Sequence, residues 1–173
     1  MYDSRISITL LCNVLLFFII DQLNAWLLPW QLHLNLDSLY LIFICLYFRL
    51  YSGLAVAVFS GALAYAGLPG WEGGLVIWTA AFLLGLQCRE YVHRDNPLQV
   101  VLLALAGNLF IFLALTLSTG SPLWSSWAWW LSLLTDLILS EGLVLLVVLP
   151  WISLQRRILL FSGIDLAAEM QSL

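Results

Sequence analysis

The sequence predicts an all-α integral membrane bundle of six helices, and three observations carry that expectation. The first is composition: of 173 residues 63% are hydrophobic and only 9% charged, with a mean hydropathy of +1.01. A soluble domain carries about 25% charged residues, so this surface is built to face lipid. The second is length: a spanning helix takes roughly 20 apolar residues, so the chain holds about six spans with short connections, as one transmembrane domain. The third is where the charges fall. All six basic residues are arginine, and each sits beside what the spacing predicts to be the same membrane face.

The first predicted span covers about 6–28 and ends at Pro29. Arg5 followed by an apolar run has the look of a secretion signal, but the continuation Asp21-Gln22-Leu23-Asn24 offers no small-residue cleavage pattern, so it reads as a retained span. Spans two and three are short, about 36–50 and 51–68, and nearly continuous. The fourth covers about 73–87. The polar run CREYVHRDNP (88–97) precedes a fifth at about 98–117, and a Ser/Gly/Pro turn leads to a sixth at about 131–153. The tail, 155–173, is mildly amphipathic and suits the cytoplasmic membrane surface.

The run 36–68 is long enough to be one overlong helix, which would leave five spans. Charge location selects six. With both ends cytoplasmic, Arg5, Arg49, Arg89, Arg94, Arg156 and Arg157 are the topology-setting residues and all fall inside, while the outer loops 29–37, 69–72 and 118–126 hold no basic residue. Trp26, Trp30, Trp71, Trp124, Trp127, Trp129 and Trp130 fall at the outer boundary, where an amphipathic indole prefers the headgroup layer.

Gly53, Ala57 and Gly61 form a four-residue stripe on span three. Small residues let helix backbones approach closely in lipid, so the stripe marks a packing surface, against a neighbour within the chain or in another protein. Asp21, Asn24, Asp136, Ser140 and Glu141 are polar groups inside or near apolar segments, and Asn13 and Asn108 are further amides at membrane depth. A carboxylate at the bilayer centre costs about 2.5–3.5 kcal/mol on insertion scales, so each needs a role. Two are open: a polar cavity for a solute or proton, or an interhelical hydrogen-bond cluster or partner surface. Asp136 and Ser140 share a helix face, whereas Glu141 lies about 140° round from Asp136, so the two carboxylates do not form one site unaided.

Neither a catalytic nor a metal site is expected, and no cofactor. Cys12, Cys45 and Cys88 lack metal-ligand spacing, and His33 and His93 fall at opposite faces. Gly-x-Ser-x-Gly, His-Glu-x-x-His and P-loop patterns are absent from the sequence.

The stretch LDSLYLIFICLYFRLYSGLAVAVFSGALAYAGLPGWEGG, with its paired short spans and Gly-initiated segment at Gly61, resembles the rod shape-determining protein MreD family. The likeness runs over about 37–117 and returns at the close of the last span, at Pro150 and Gln155-Arg156-Arg157. The chain departs from the family at Tyr65, where the family usually carries Asp four residues after the glycine. The resemblance implies a non-enzymatic scaffold of bacterial cell elongation and peptidoglycan synthesis, multi-pass in the plasma membrane, partnered by an MreC-like bitopic protein. It also implies a fold similar to the six-helix substrate-binding subunits of energy-coupling-factor transporters. That likeness supplies the rival expectation of a vitamin-type solute carrier, although span one lacks the small-residue docking stripe usual in those subunits.

Overall fold

The computed structural model describes residues 4–65, 71–118 and 126–164, and among these the chain is helical, without strands. Six α-helices follow in order: α1 (Ser4–Leu27), α2 (Asp37–Tyr47), α3 (Leu50–Tyr65), α4 (Trp71–Cys88), α5 (Pro97–Ser118) and α6 (Trp127–Phe161). Three segments are long and apolar enough to cross a membrane: Ser4–Trp30, Pro97–Ser118 and Trp127–Phe161. The expected turn at 68–70, the expected turn 118–122 apart from Ser118, which ends α5, Trp124, the side chain of Trp71 and the tail beyond 164 lie outside the described residues.

The run 36–68 is two helices, not one. Phe48 is extended (φ −105°, ψ 154°) and breaks the chain between α2 and α3. The second helix is shorter than the expected 36–50. Eleven residues span about 17 Å at 1.5 Å each, roughly half the ~30 Å hydrocarbon core of a bilayer.

Its burial explains how so short a helix survives. All ten residues from Asp37 to Leu46 are buried, which is the pattern of a helix that is apolar all round. Packing of α3, α4, α5 and α6 surrounds it, and α1 reaches it through Asn13, whose Nδ2 donates to the Tyr40 carbonyl at 3.4 Å and to Ser60 Oγ on α3 at 2.7 Å. The core is therefore a half-length helix held inside a cage of longer ones.

The small-residue stripe of α3 faces α4 of the same chain. A Cβ added at Gly53 would lie 2.8 Å from Phe82 Cζ, and one at Gly61 would lie 3.0 Å from the Trp78 ring. Ala57 between them is fully buried. The two aromatic rings of α4 thus lie in the groove that the small residues open.

The last helix, α6, runs without interruption from Trp127 to Phe161, passing through Pro150 and extending past the expected span 131–153 at both ends. Proline removes one helical N–H, here the donor to the Leu146 carbonyl; both Pro150 and Leu146 face outward, so the omission falls on the outward side of the helix. Beyond Pro150, Gln155 and Leu159 are buried against the bundle.

Candidate functional site: a polar collar around a buried half-helix

Between α1 and α2 the chain makes a short 3-10 turn at Leu28–Trp30, led by Pro29, and reverses at Gln31 in the left-handed region (φ 55°). It then runs back towards the core without helix through residues 32–36, burying Leu34 and Leu36. A buried backbone amide or carbonyl left without a partner costs several kcal/mol, so this buried non-helical stretch needs its polar groups satisfied by protein. The location of those hydrogen bonds defines the site.

Three helices, α1, α5 and α6, supply them, and α3 adds a side-chain bond at the start of α2. Asn24 on α1 makes a reciprocal pair with Leu34: its Nδ2 donates to the Leu34 carbonyl at 3.1 Å, and the Leu34 N–H donates to Oδ1 at 2.7 Å. On α6, Asp136 Oδ1 accepts from the His33 N–H at 3.0 Å, and Ser140 Oγ accepts from the Asn35 N–H at 2.9 Å. Asn108 on α5 accepts the Ser38 N–H at 3.3 Å, and its Nδ2 donates to Glu141 Oε1 at 3.1 Å. From α3, Tyr65 donates its phenol to Asp37 Oδ2 at 2.6 Å. One turn further along, the Trp151 indole N–H donates to the Leu39 carbonyl at 3.1 Å.

The opposite end of α2 is capped as well. Arg89, just past α4, sends Nη1 to the Phe48 carbonyl at 2.7 Å and the Cys45 carbonyl at 3.4 Å. A helix leaves its last carbonyls without internal partners, and a cation there also meets the negative end of the dipole. Arg89 therefore has a structural task in addition to any role in setting topology.

Four of the five polar residues singled out from sequence thus meet on one backbone segment: Asn24, Asp136 and Ser140 bind it directly, and Glu141 through Asn108. The 140° between Asp136 and Glu141 is bridged because Asn108 enters from another helix. Asp21 lies apart, exposed, lining a cavity of about 250 Å³ with Asn24, His33, Asp37, Tyr40 and Tyr65. A second cavity, of about 290 Å³, lies on the other side of His33 against Asp136, Thr116 and Trp129. Asp37, expected in an outer loop, is instead buried in the first turn of α2. Sequence reading missed it and its phenol donor; the available signal was an acidic residue directly preceding an unbroken apolar run.

Of the expected boundary tryptophans, Trp26, Trp30, Trp127 and Trp130 are exposed, beside this end of the bundle. The six arginines belong to the other end: at the start of α1, the α2–α3 break, the α4–α5 connection and the end of α6. Among the described residues, no three His, Cys, Asp or Glu side chains gather as metal ligands. Comparisons with protein-family models, curated proteins and solved structures find no match to this chain.

Proposed function

We propose that this chain is a non-enzymatic membrane scaffold of the bacterial cell-elongation machinery, crossing the plasma membrane six times with both ends in the cytoplasm. The partner expected on this reading is an MreC-like bitopic protein and, through it, the peptidoglycan-synthesis complex. The resemblance over 37–117 suggests the family. The observation that carries the non-catalytic part is the polar collar: Asn24, Asp136, Ser140, Asn108 and Tyr65 are engaged in holding the 33–38 segment. Groups already committed to hydrogen bonds that hold this segment are poor candidates for a reacting centre, and a caged half-helix makes a stiff body on which partners can assemble.

The arginine-rich end suits the cytoplasm by the positive-inside rule, and the tryptophan end the outer headgroup layer. Mild-detergent purification from native membranes, with identification of co-eluting proteins, tests the reading. A co-purifying single-span wall-synthesis protein and rounded cells on depletion are expected; normal cell shape after depletion would overturn it.

A second reading, a vitamin-type solute-binding subunit, is favoured by one observation: the cavity of about 250 Å³ that brings Asp21, Asp37, Tyr40 and Tyr65 together at the tryptophan end. A bound small molecule in the same purification, lost in Asp37→Asn, would replace the scaffold reading with this one.

A further inference from the structure

A buried phenol lies beside two carboxyl groups at the tryptophan end. Tyr40, one turn into α2, is 3% exposed, and among the described residues nothing hydrogen-bonds its hydroxyl. That hydroxyl is not one of the sealed polar atoms of the core. With Asp37 on the same helix and Asp21 on α1, Tyr40 lines the cavity of about 250 Å³. Asp37 and Asp21 are also the two carboxyl groups that act on the phenol electrostatically.

The count of cations at this end is complete. The sequence has no lysine, and all six arginines are described and lie at the opposite end of the bundle. The segments outside the described residues contain no arginine, lysine or histidine, and the amino terminus precedes Ser4 at the arginine end. His33 is exposed in the lining, and one imidazolium would still leave a second carboxyl unmatched. Asp21 is exposed whereas Asp37 and Tyr40 are buried, so acceptors run from the opening to the floor. Asp37 Oδ2 receives the Tyr65 phenol, but a carboxylate offers about four lone-pair sites, so acceptor capacity remains. Phe17, Ile20, Leu36 and Ala64 make the rest of the wall apolar.

We propose that this cavity binds a small organic ammonium ion, its N–H donors directed at Asp21, Asp37 and the Tyr40 hydroxyl and its apolar body against Phe17 and Ile20. A primary ammonium carries three donors and no acceptor, and phenol rings attract a cation through their faces as well. A bare metal ion suits the site less. Among the described residues no three His, Cys, Asp or Glu side chains gather as ligands, and the volume is that of about eight waters at ~30 Å³ each, far more than one ion fills. The inference rests on the solute-binding reading of this cavity and names the class of its ligand; it does not depend on any partner protein.

The test titrates the detergent-purified chain, near neutral pH, with phenethylammonium chloride, phenethyl alcohol and phenylpropionate, which share a body and differ in charge, and reads binding by calorimetry. The amine is expected to bind, and the other two roughly tenfold more weakly or worse. Asp21→Asn and Asp37→Asn should each weaken the amine roughly tenfold, the loss of one charge-assisted contact. Tyr40→Phe should weaken it several-fold without lowering the melting temperature, because the hydroxyl holds no bond in the free fold; this variant decides the matter should Asp37→Asn fail to fold. Glu90→Gln, exposed at the arginine end, should leave binding unchanged. Binding that survives both aspartate substitutions overturns the site. Equal or tighter binding of the alcohol or the carboxylate overturns the cation and leaves the cavity a solute site, whereas binding of none of the three overturns both. Sodium ions displacing the amine at equal concentration overturn the organic ligand as occupant.

Discussion

Tyr65 and Asp37 are 28 residues apart and meet at 2.6 Å, the phenol of the last residue of α3 donating to the carboxyl in the first turn of α2. A buried carboxyl needs a donor, and a phenol reaches where a shorter side chain would not. Tyr65→Phe should lower thermal stability by about 1–3 kcal/mol. Tyr65→Asp should cost more, because it sets a second carboxyl against the first. Detergent-solubilised melting curves check the order; equal stabilities would remove the bond from the account.

Asn24 should matter more than its exposed neighbour Asp21. Asn24→Leu removes both bonds to Leu34 and leaves a buried amide and carbonyl unpaired, a loss of about 2–4 kcal/mol. Asp21→Asn should be near neutral. Hydrogen exchange at the Leu34 amide should accelerate in the first variant and not in the second.

Arg89→Lys separates two roles. The substitution keeps the positive charge that positive-inside orientation requires, but gives up the guanidinium contact with Phe48 and Cys45 carbonyls. Insertion topology should stay as it is while stability falls by about 1–3 kcal/mol. An inverted topology would show that the charge acts otherwise.

The glycine positions divide sharply. Gly61→Val drives a branched side chain into the Trp78 ring, at a cost of about 1–3 kcal/mol or more. Gly142 has nothing within 4 Å of an added Cβ, so Gly142→Ala should be neutral or stabilising by up to about 1 kcal/mol. Comparing the two melting temperatures checks the packing of α3 on α4.

Cysteine labelling reads the orientation. Cys88 is exposed at the basic end, whereas Cys12 and Cys45 are buried. A membrane-impermeant maleimide should label Cys88 only in inverted vesicles or after permeabilisation, and Cys12 and Cys45 only after denaturation. Labelling of Cys88 in intact cells would reverse the proposed topology.

Much of this architecture was legible residue by residue. The six helical segments follow from local apolar density, and the break between α2 and α3 was signalled by Arg49, a charge in the middle of an apolar run. The small-residue stripe was visible too, though not that its partner is Trp78 and Phe82. Asp37 was misplaced because an acidic residue after a loop looks the same in sequence whether it faces water or a phenol from another helix. Pro150 sits inside α6 rather than ending it, because proline disrupts a helix interior only where its lost hydrogen bond and its ring cannot be accommodated, and here both lie on the outward face.

By itself, the sequence determined what depends on near neighbours: helical class, an apolar surface, and arginines and tryptophans at separate ends. These are sums of transfer preferences over short windows, which need no knowledge of the partner. Only the tertiary structure decided that α2 is a caged half-helix and that scattered polar residues form its collar. Those bonds join residues up to 112 positions apart, and whether an isolated Asn, Asp or Tyr becomes a cap or a ligand depends on which backbone amide the fold brings within about 3 Å of it.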